Sequence, residues 1–226
     1  MMINSFEQIK NWSDGRQNLV ILLFVIFYSV GVAGFIYPPT SALFAELTPL
    51  ILIMSFIAVI IYHEGRITLK HLVILLGIFL SSFVAEAIGV NTGIIFGSYE
   101  YGDSLGLKIF DTPLLIGANW VFLVYSSSSI IHRTKLSGVI LILSASLVMV
   151  LYDLILEQVA GDMGMWTWTE GYIPLKNYFT WFVLAFIFHW VLKYFVVPTS
   201  NKVAPAIFTI QFVFFLMIFL LKGVVS

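Results

Sequence analysis

The chain has 226 residues, of which 60% are apolar and only 10% are charged. This composition is far from that of a soluble domain and is typical of a membrane protein. Cysteine is absent, which excludes disulfides, thiolate metal ligands and a cysteine nucleophile. The formal net charge of -1 gives no reason to expect nucleic acid as a partner.

Apolar stretches of about 20 residues, the length that a helix needs to cross the hydrocarbon core, recur along the chain. They predict an all-α polytopic membrane protein, a bundle of about seven transmembrane helices. The predicted spans are Asn18–Tyr37, Glu46–Tyr62, His71–Val90, Thr112–Ile131, Leu136–Ala160, Asn177–Val197 and Val203–Leu221. We expect residues 1–17 to form an N-terminal tail, and residues 18–226 to form a single transmembrane domain in the cell membrane.

The connecting segments of seven spans alternate between the two sides of the membrane, and their basic residues are unevenly shared. One side receives Lys10, Arg16, Arg66, Lys70, Arg133, Lys135, Lys193 and Lys202, whereas the other receives Lys108, Lys176 and Lys222. The positive-inside rule therefore predicts a cytoplasmic N-terminus and a C-terminus outside. Acidic residues show the opposite bias, so most of the unusual chemistry falls in the outer half of the membrane.

The fifth span carries two acidic residues in an otherwise apolar segment, VLYDLILEQVAGD. Asp153 and Glu157 are four residues apart, so both project from one face of a helix. Carboxyl groups that face lipid are costly, and such residues usually turn toward the bundle interior and mark a functional site. Burial and a like-charged neighbour both favour protonation, so we expect at least one of the pair to be a general acid. The alternative is that they cap the helix end in water.

Other polar residues of the outer half could line the same pocket. Glu86 lies in the third span with Ser82 one turn below it, which suggests a polar stripe along that helix. The fourth span carries the pair Asn119 and Trp120, and the sixth span carries the pair Asn177 and Trp181. For the aromatic loop residues Tyr99, Tyr101, Trp166 and Trp168, a belt at the membrane surface is an equally good interpretation. The sequence has no HExxH motif and no histidine cluster with metal-ligand spacing.

Two long segments together contain an ordered series of motifs. They are EAIGVNTGIIFGSYEYGDSLGLKIFDTPLLIGANWVFLVYSS, residues 86–127, and YDLILEQVAGDMGMWTWTEGYIPLKNYFTWF, residues 152–182. Together they resemble the integral-membrane carotenoid biosynthesis family that includes carotenoid 1,2-hydratases and bisanhydrobacterioruberin hydratase. The matching motifs are E-x-x-G-V-x-T-G-x-x-F-G-x-Y, then P-L-L-I with a following Trp, then G-x-W-x-W with a later P-x-x-N. The residues carried over are Glu86, Gly89, Thr92, Gly93, Phe96, Gly97, Tyr99, Pro113, Trp120, Asp153, Trp166, Trp168, Pro174, Asn177 and Trp181.

The chain departs from the family pattern at two places. The family often has D-P where this chain has Glu157-Gln158, and N-F-x-G-W where it has residues 177–181. An acid at Glu157 preserves the chemistry, whereas the missing proline changes the local helix geometry. These departures are consistent with a divergent branch that acts on another carotenoid.

The resemblance implies addition of water to the terminal double bond of an acyclic carotenoid, without a redox cofactor, and the absence of metal-ligand motifs leads us to expect no metal. Such a reaction needs a strong acid, a wall that stabilises a carbocation and one positioned water. We hypothesise that Asp153 donates the proton, that Glu86 or Glu157 deprotonates the water, and that Trp120 and Trp181 face the cation. The other substrate-binding candidates are Asn119, Asn177, Tyr99, Trp166 and Trp168. The expected partners are the carotenoid, water and the lipid bilayer, and other carotenoid enzymes could associate with it.

Three alternatives stay open. A carotenoid cyclase of the lycopene type begins with the same protonation but lets a neighbouring double bond capture the cation. A membrane carotenoid- or retinoid-binding or transport protein would also carry intramembrane acids. The last span, however, has no lysine near its middle for a retinal Schiff base, and we see no clear internal repeat of the kind common in transporters. The third alternative is a non-catalytic subunit of a carotenoid enzyme complex.

Overall fold

Seven helices make up most of residues 15–225, which are the part of the chain that this computed structural model describes. They are α1 (Gln17–Ile36), α2 (Pro38–Ile61), α3 (Leu69–Thr92), α4 (Leu114–His132), α5 (Gly138–Leu156), α6 (Leu175–Tyr194) and α7 (Ala204–Val225). Each is long and apolar enough to cross a membrane, which confirms the predicted all-α polytopic bundle. The orientation of the termini stays a prediction. Of the predicted tail, residues 1–14 lie outside the described residues.

The predicted spans agree with the helices to within four residues at every boundary except one. Helix α2 begins at Pro38 instead of near Glu46, because two consecutive prolines occupy its first turn. A proline is well tolerated there, since the missing N–H has no partner within the helix in any case. Helix α5 ends at Leu156, four residues before the predicted boundary, and Glu157 caps it.

Helix α4 lies at the centre of the bundle. Its apolar window is 72% buried, against 22–39% for the other six helices of the described region. It contacts α2, α3, α5, α6 and α7. Four consecutive serines on it, Ser126–Ser129, are all buried, and small side chains of this kind let neighbouring helices approach closely. Because α4 is enclosed, the side chains that it carries point into the protein and not into lipid.

The two long connections meet at one end of the bundle. The α3–α4 connection contains β1 (Tyr99–Tyr101), β2 (Lys108–Ile109) and β3 (Thr112–Pro113), and the α5–α6 connection contains β4 (Trp166–Trp168). Strands β2 and β3 pair with each other, while β1 pairs antiparallel with β4. This register sets Tyr99 opposite Trp168 and Tyr101 opposite Trp166. Because successive side chains of a strand point to opposite faces, the four aromatic rings share one face.

The short connections meet at the opposite end. His63, after α2, pairs with Asn201, before α7. Arg133, after α4, donates a hydrogen bond to the Asn201 carbonyl, and Ser200 donates one to Glu64. The connections therefore alternate between two ends, as seven consecutive spans require.

The contact between the two long connections supplies a first prediction. Gly102 lies directly against the backbone carbonyl of Gly164, so a Cβ at position 102 would overlap that oxygen. We expect Gly102→Ala to lower the free energy of unfolding by about 1–3 kcal/mol, because neither backbone can shift without disturbing the β1–β4 pairing. Gly77→Ala is the control, since a Cβ at Gly77 on α3 meets no atom within 4 Å. Unfolding of both variants in one detergent provides the measurement, and equal stabilities would contradict the prediction.

Candidate active site

Glu86 on α3 is buried and accepts three hydrogen bonds. The hydroxyls of Tyr99 and Tyr101 donate hydrogen bonds to Oε2 at 2.6 and 2.8 Å, and the indole N–H of Trp120 donates one to Oε1 at 2.9 Å. The shortest of these distances is typical of a charge-assisted hydrogen bond to a carboxylate. Burial and the charge of Glu86 raise the pKa of both tyrosines well above its ordinary value, so both keep the proton that they donate. This set of donors favours Glu86 as a fixed carboxylate.

Glu157 has a similar set of donors at the end of α5. The indoles of Trp166 and Trp168 donate to Oε2 at 3.1 and 2.8 Å, and the amide of Asn177 donates to Oε1 at 3.0 Å. Burial raises the pKa of Glu157 to about 7, although the hydrogen bonds from Trp168 and Trp166 oppose the increase. A carboxyl group with this pKa can give up or take up a proton near neutral pH.

Asp153 lies one helical turn before Glu157 and is fully buried. The Asn177 amide donates to its Oδ2 at 3.2 Å, so one amide group bridges the two acids. The other oxygen, Oδ1, has no hydrogen-bond partner among the described residues. An unpaired buried carboxylate oxygen is costly, whereas a protonated carboxyl group needs fewer donors. The contacts therefore favour a neutral Asp153, because a buried carboxyl group with one donor loses less on leaving water when it is uncharged.

A cavity of about 20 Å³ is lined by both Glu86 and Glu157, and it is large enough for one water molecule. The Asn119 amide lines it as well and makes no hydrogen bond to the described residues. Trp120 and Trp181 form part of its wall, with their rings stacked at a centroid distance of 4.3 Å. Among the described residues, no three His, Cys, Asp or Glu side chains are grouped as metal ligands. The cavity thus combines carboxyl groups, a free amide and aromatic faces.

Nine of the ten site residues proposed from the sequence line this one cavity. They are Glu86, Tyr99, Asn119, Trp120, Glu157, Trp166, Trp168, Asn177 and Trp181. The tenth, Asp153, is fully buried behind Glu157 and Asn177. The loop aromatics are therefore part of the cavity wall and do not form only a belt at the membrane surface.

Four residues of the cavity wall were not among the ten proposed from the sequence, although Tyr101 was considered with the loop aromatics and Phe96 belongs to the family motif. Tyr101 is the second hydroxyl donor to Glu86, and Phe96, Ile116 and Leu156 supply apolar surface. The alternation in Y-E-Y was an available signal, because it places Tyr99 and Tyr101 on one face of a strand. No local pattern distinguishes the three apolar residues from the rest of the core.

The two glutamates belong to two units of similar design. In each unit an acidic residue near a helix end is followed by an aromatic-x-aromatic strand, whose two rings donate hydrogen bonds back to that acid. The next helix carries a P-L-x5-W segment, PLLIGANW at 113–120 and PLKNYFTW at 174–181. Its proline is the N-cap and its tryptophan belongs to the stacked pair. This match corrects the expectation that the chain has no clear internal repeat.

The two units differ at two positions that matter for the chemistry. One turn before the acid, the first unit has Ser82, whose hydroxyl donates to the Phe79 carbonyl, and the second unit has Asp153. At the third position after the proline, the first unit has Ile116 and the second has Asn177. Only the second unit therefore carries a second acid and the amide that holds it.

Comparison with known proteins identifies a family. A model of the family described as carotenoid biosynthesis protein matches residues 47–226, which include both units and the whole cavity wall. No curated protein and no solved structure matches the chain.

The hydrogen bond from Tyr101 supplies a second prediction. We expect Tyr101→Phe to lower the free energy of unfolding by about 1–3 kcal/mol, because the buried Glu86 loses one of its donors. Tyr37→Phe is the control, since Tyr37 is 61% exposed. In a Glu86→Gln background the same change should cost less, because the acceptor is no longer charged. Unfolding of the four combinations in one detergent tests this, and an equal cost in both backgrounds would contradict a charged Glu86.

Proposed function

The chain belongs to the carotenoid biosynthesis protein family, and on that premise we propose that it adds water to a terminal double bond of an acyclic carotenoid. The observation that carries this proposal is the water-sized cavity with two carboxyl groups and a stacked tryptophan pair on its wall. Alkene hydration needs an acid, a surface that stabilises a carbocation and a bound water in one place. Within a multi-pass membrane protein, an apolar substrate can reach such a site directly from the lipid.

Glu157 is the acid that meets the substrate in this proposal. It lines the cavity, and a pKa raised to about 7 lets it hold a proton near neutral pH. Asp153, the donor hypothesised from the sequence, is enclosed behind it. In the proposal Asp153 remains protonated and acts as a positioning residue, because the Asn177 amide that it accepts from also bonds to Glu157.

Proton transfer from Glu157 goes to the CH carbon of the terminal double bond. The positive charge then lies on the neighbouring carbon, which bears two methyl groups and forms a tertiary carbocation. The ring faces of Trp120 and Trp181 stabilise such a cation through their π electrons. The carboxylate of Glu86, held by three donors, offsets the charge from across the cavity.

The water in the cavity captures the cation. The unpaired amide of Asn119 is available to orient it, and its oxygen forms the new bond to carbon. The oxygen then loses one proton to Glu157, which restores the acid and leaves a tertiary alcohol. In this proposal Glu86 keeps its negative charge throughout the cycle, Glu157 both gives and regains the proton, and Asp153 lies behind them.

A carotenoid cyclase is the second candidate function. Its carbocation must be captured by a double bond of the same molecule, so water has to be kept away from it. The cavity wall instead carries Asn119 and Asn177 beside the two carboxyl groups, and these polar groups favour a bound water. A binding or transport protein, or a non-catalytic subunit, would leave the pigment unchanged.

Cells that accumulate an acyclic carotenoid provide the third prediction. We expect the wild-type chain to add the mass of one water per reacting end. Glu157→Gln should lower the yield at least about a hundredfold, because an amide cannot donate the required proton. Asp153→Asn should retain most of the activity, since asparagine has the shape of a protonated aspartate and can still accept from Asn177. Pigments are separated by chromatography and their masses are determined by mass spectrometry. The amount of each variant in the membrane is measured in parallel.

Each other outcome of that experiment points elsewhere. Hydration that survives Glu157→Gln and vanishes in Asp153→Asn would assign the proton to Asp153. A new pigment of unchanged mass would indicate the cyclase. Unchanged pigments with several acyclic carotenoids would argue for a protein that binds or transports them.

The pKa of Glu157 supplies a fourth prediction. Activity of the purified protein should fall as pH rises through about 7, because Glu157 loses the proton that it donates. Trp168→Phe removes a donor that stabilises the carboxylate, so the pKa should rise and the falling limb should move up by about one pH unit. Trp190→Phe, on an exposed ring of α6, is the matched control.

Trp168→Phe and Trp190→Phe both leave Glu86 and Asp153 in place, the two other acids that interact with Glu157. An activity that instead rises with pH through about 7 would mean that Glu157 only accepts the proton from water.

A further inference from the structure

An apolar groove opens on the side of the bundle, between α1, α2 and α7. Its volume is about 280 Å³. Six aromatic rings line it, those of Phe27, Tyr28, Phe35, Phe44, Phe214 and Phe215, together with three methionines. The rim residues Phe27, Leu47 and Leu50 are 41–55% exposed on the outer surface of the bundle. The groove is therefore open toward the region that lipid occupies.

The two hydroxyl groups on the groove wall are already used within the protein. Tyr28 is hydrogen-bonded to Ser55 and accepts from Gln211, while Thr48 donates to the Phe44 carbonyl. A ligand in the groove would find hydrocarbon, aromatic faces and sulfur but no free polar side chain. A polar ligand would lose its hydrogen bonds to water there without replacement, so the wall suits a hydrocarbon.

A second small space, here called the neck, lies between the groove and the cavity beside Glu86 and Glu157, here called the acid cavity. The neck is a space of about 20 Å³ that shares Leu52, Met165 and Phe215 with the groove. With the acid cavity it shares four other residues, Ile116, Asn119, Leu156 and Trp166. The groove, the neck and the acid cavity are therefore neighbours, and the side chains that they share lie between them.

We propose that the groove binds the hydrocarbon chain of a linear polyene whose end reaches Glu157 through the neck. This inference rests on the proposed function, because it places the part of the substrate that does not react. Aromatic rings and methionines give many dispersion contacts to a conjugated chain. Met165 stands at the neck, and its unbranched, flexible side chain can move aside as the chain passes. The polyene enters from the membrane, and the rest of its length remains in lipid.

The test uses two bulky substitutions at neighbouring positions of α2. Leu52 lies at the neck, whereas the next residue, Ile53, is 45% exposed and does not line the groove. The full-length variants are purified in detergent from cells that accumulate lycopene, and the ratio of bound pigment to protein is read by absorbance. We expect Leu52→Trp to lower this ratio at least about tenfold and Ile53→Trp to leave it unchanged. Leu47→Trp, at the exposed rim, should also lower the ratio of bound pigment to protein. This second variant keeps the test valid if Leu52→Trp does not fold.

Pigment retention does not depend on the chemistry, so failure of the inference can be told from failure of the proposed function. Equal retention by Leu52→Trp, Leu47→Trp and the wild type overturns the groove as the binding path, even if water is added. No retention by the wild type, or equal loss in Ile53→Trp, overturns it as well. Retention that depends on the groove without any addition of water supports the inference and refutes the hydratase.

Discussion

The hydrogen bonds to the buried Glu86 and Glu157 hold together the end of the bundle where the two long connections meet. A carboxyl group that leaves water is costly unless donors surround it. Here most of the donors come from the long connections, because Tyr99 and Tyr101 reach Glu86 while Trp166 and Trp168 reach Glu157. The two connections can supply these donors only if they fold back over the helix ends, and the β1–β4 pairing holds them there.

Two similar units thus produce two chemically different carboxyl groups. Glu86 is held by two hydroxyls and an indole, and Glu157 by two indoles and an amide, at distances that are mostly longer. Short hydroxyl bonds stabilise an anion more than longer bonds from neutral N–H groups do. On the proposed function, Glu86 therefore stays ionised while Glu157 exchanges a proton. Asp153, which replaces the serine of the first unit, adds a neutral neighbour on the exchangeable side only.

The sequence was sufficient for the spans and for most of the acid site. Hydropathy fixes the helices because lipid demands long apolar segments, and charged residues inside such segments stand out for the same reason. The bridging role of Asn177 and the donor role of Tyr101 depend on how separate segments meet, which no local pattern records. The groove is harder still. Its residues near 27–54 and 214–215 look like ordinary membrane-facing residues, and Met163 and Met165 come from the α5–α6 connection. Its position became visible only when the helices were assembled.

On the proposed function, the size of the acid cavity favours hydration over the other reactions of a carbocation. In a site open to bulk water, the carbocation would be captured by any nearby water. In a dry site, it would lose a proton and return to the alkene. A space of about 20 Å³ admits a water but little more, and the polar atoms of Asn119 and Glu157 line it. The neck beyond it is walled mainly by hydrocarbon, with Leu52, Leu156 and Phe215 among its residues. On the proposed function, the polyene comes from the lipid side while water is held by polar groups beneath the loops, so the two reactants meet only at Glu157.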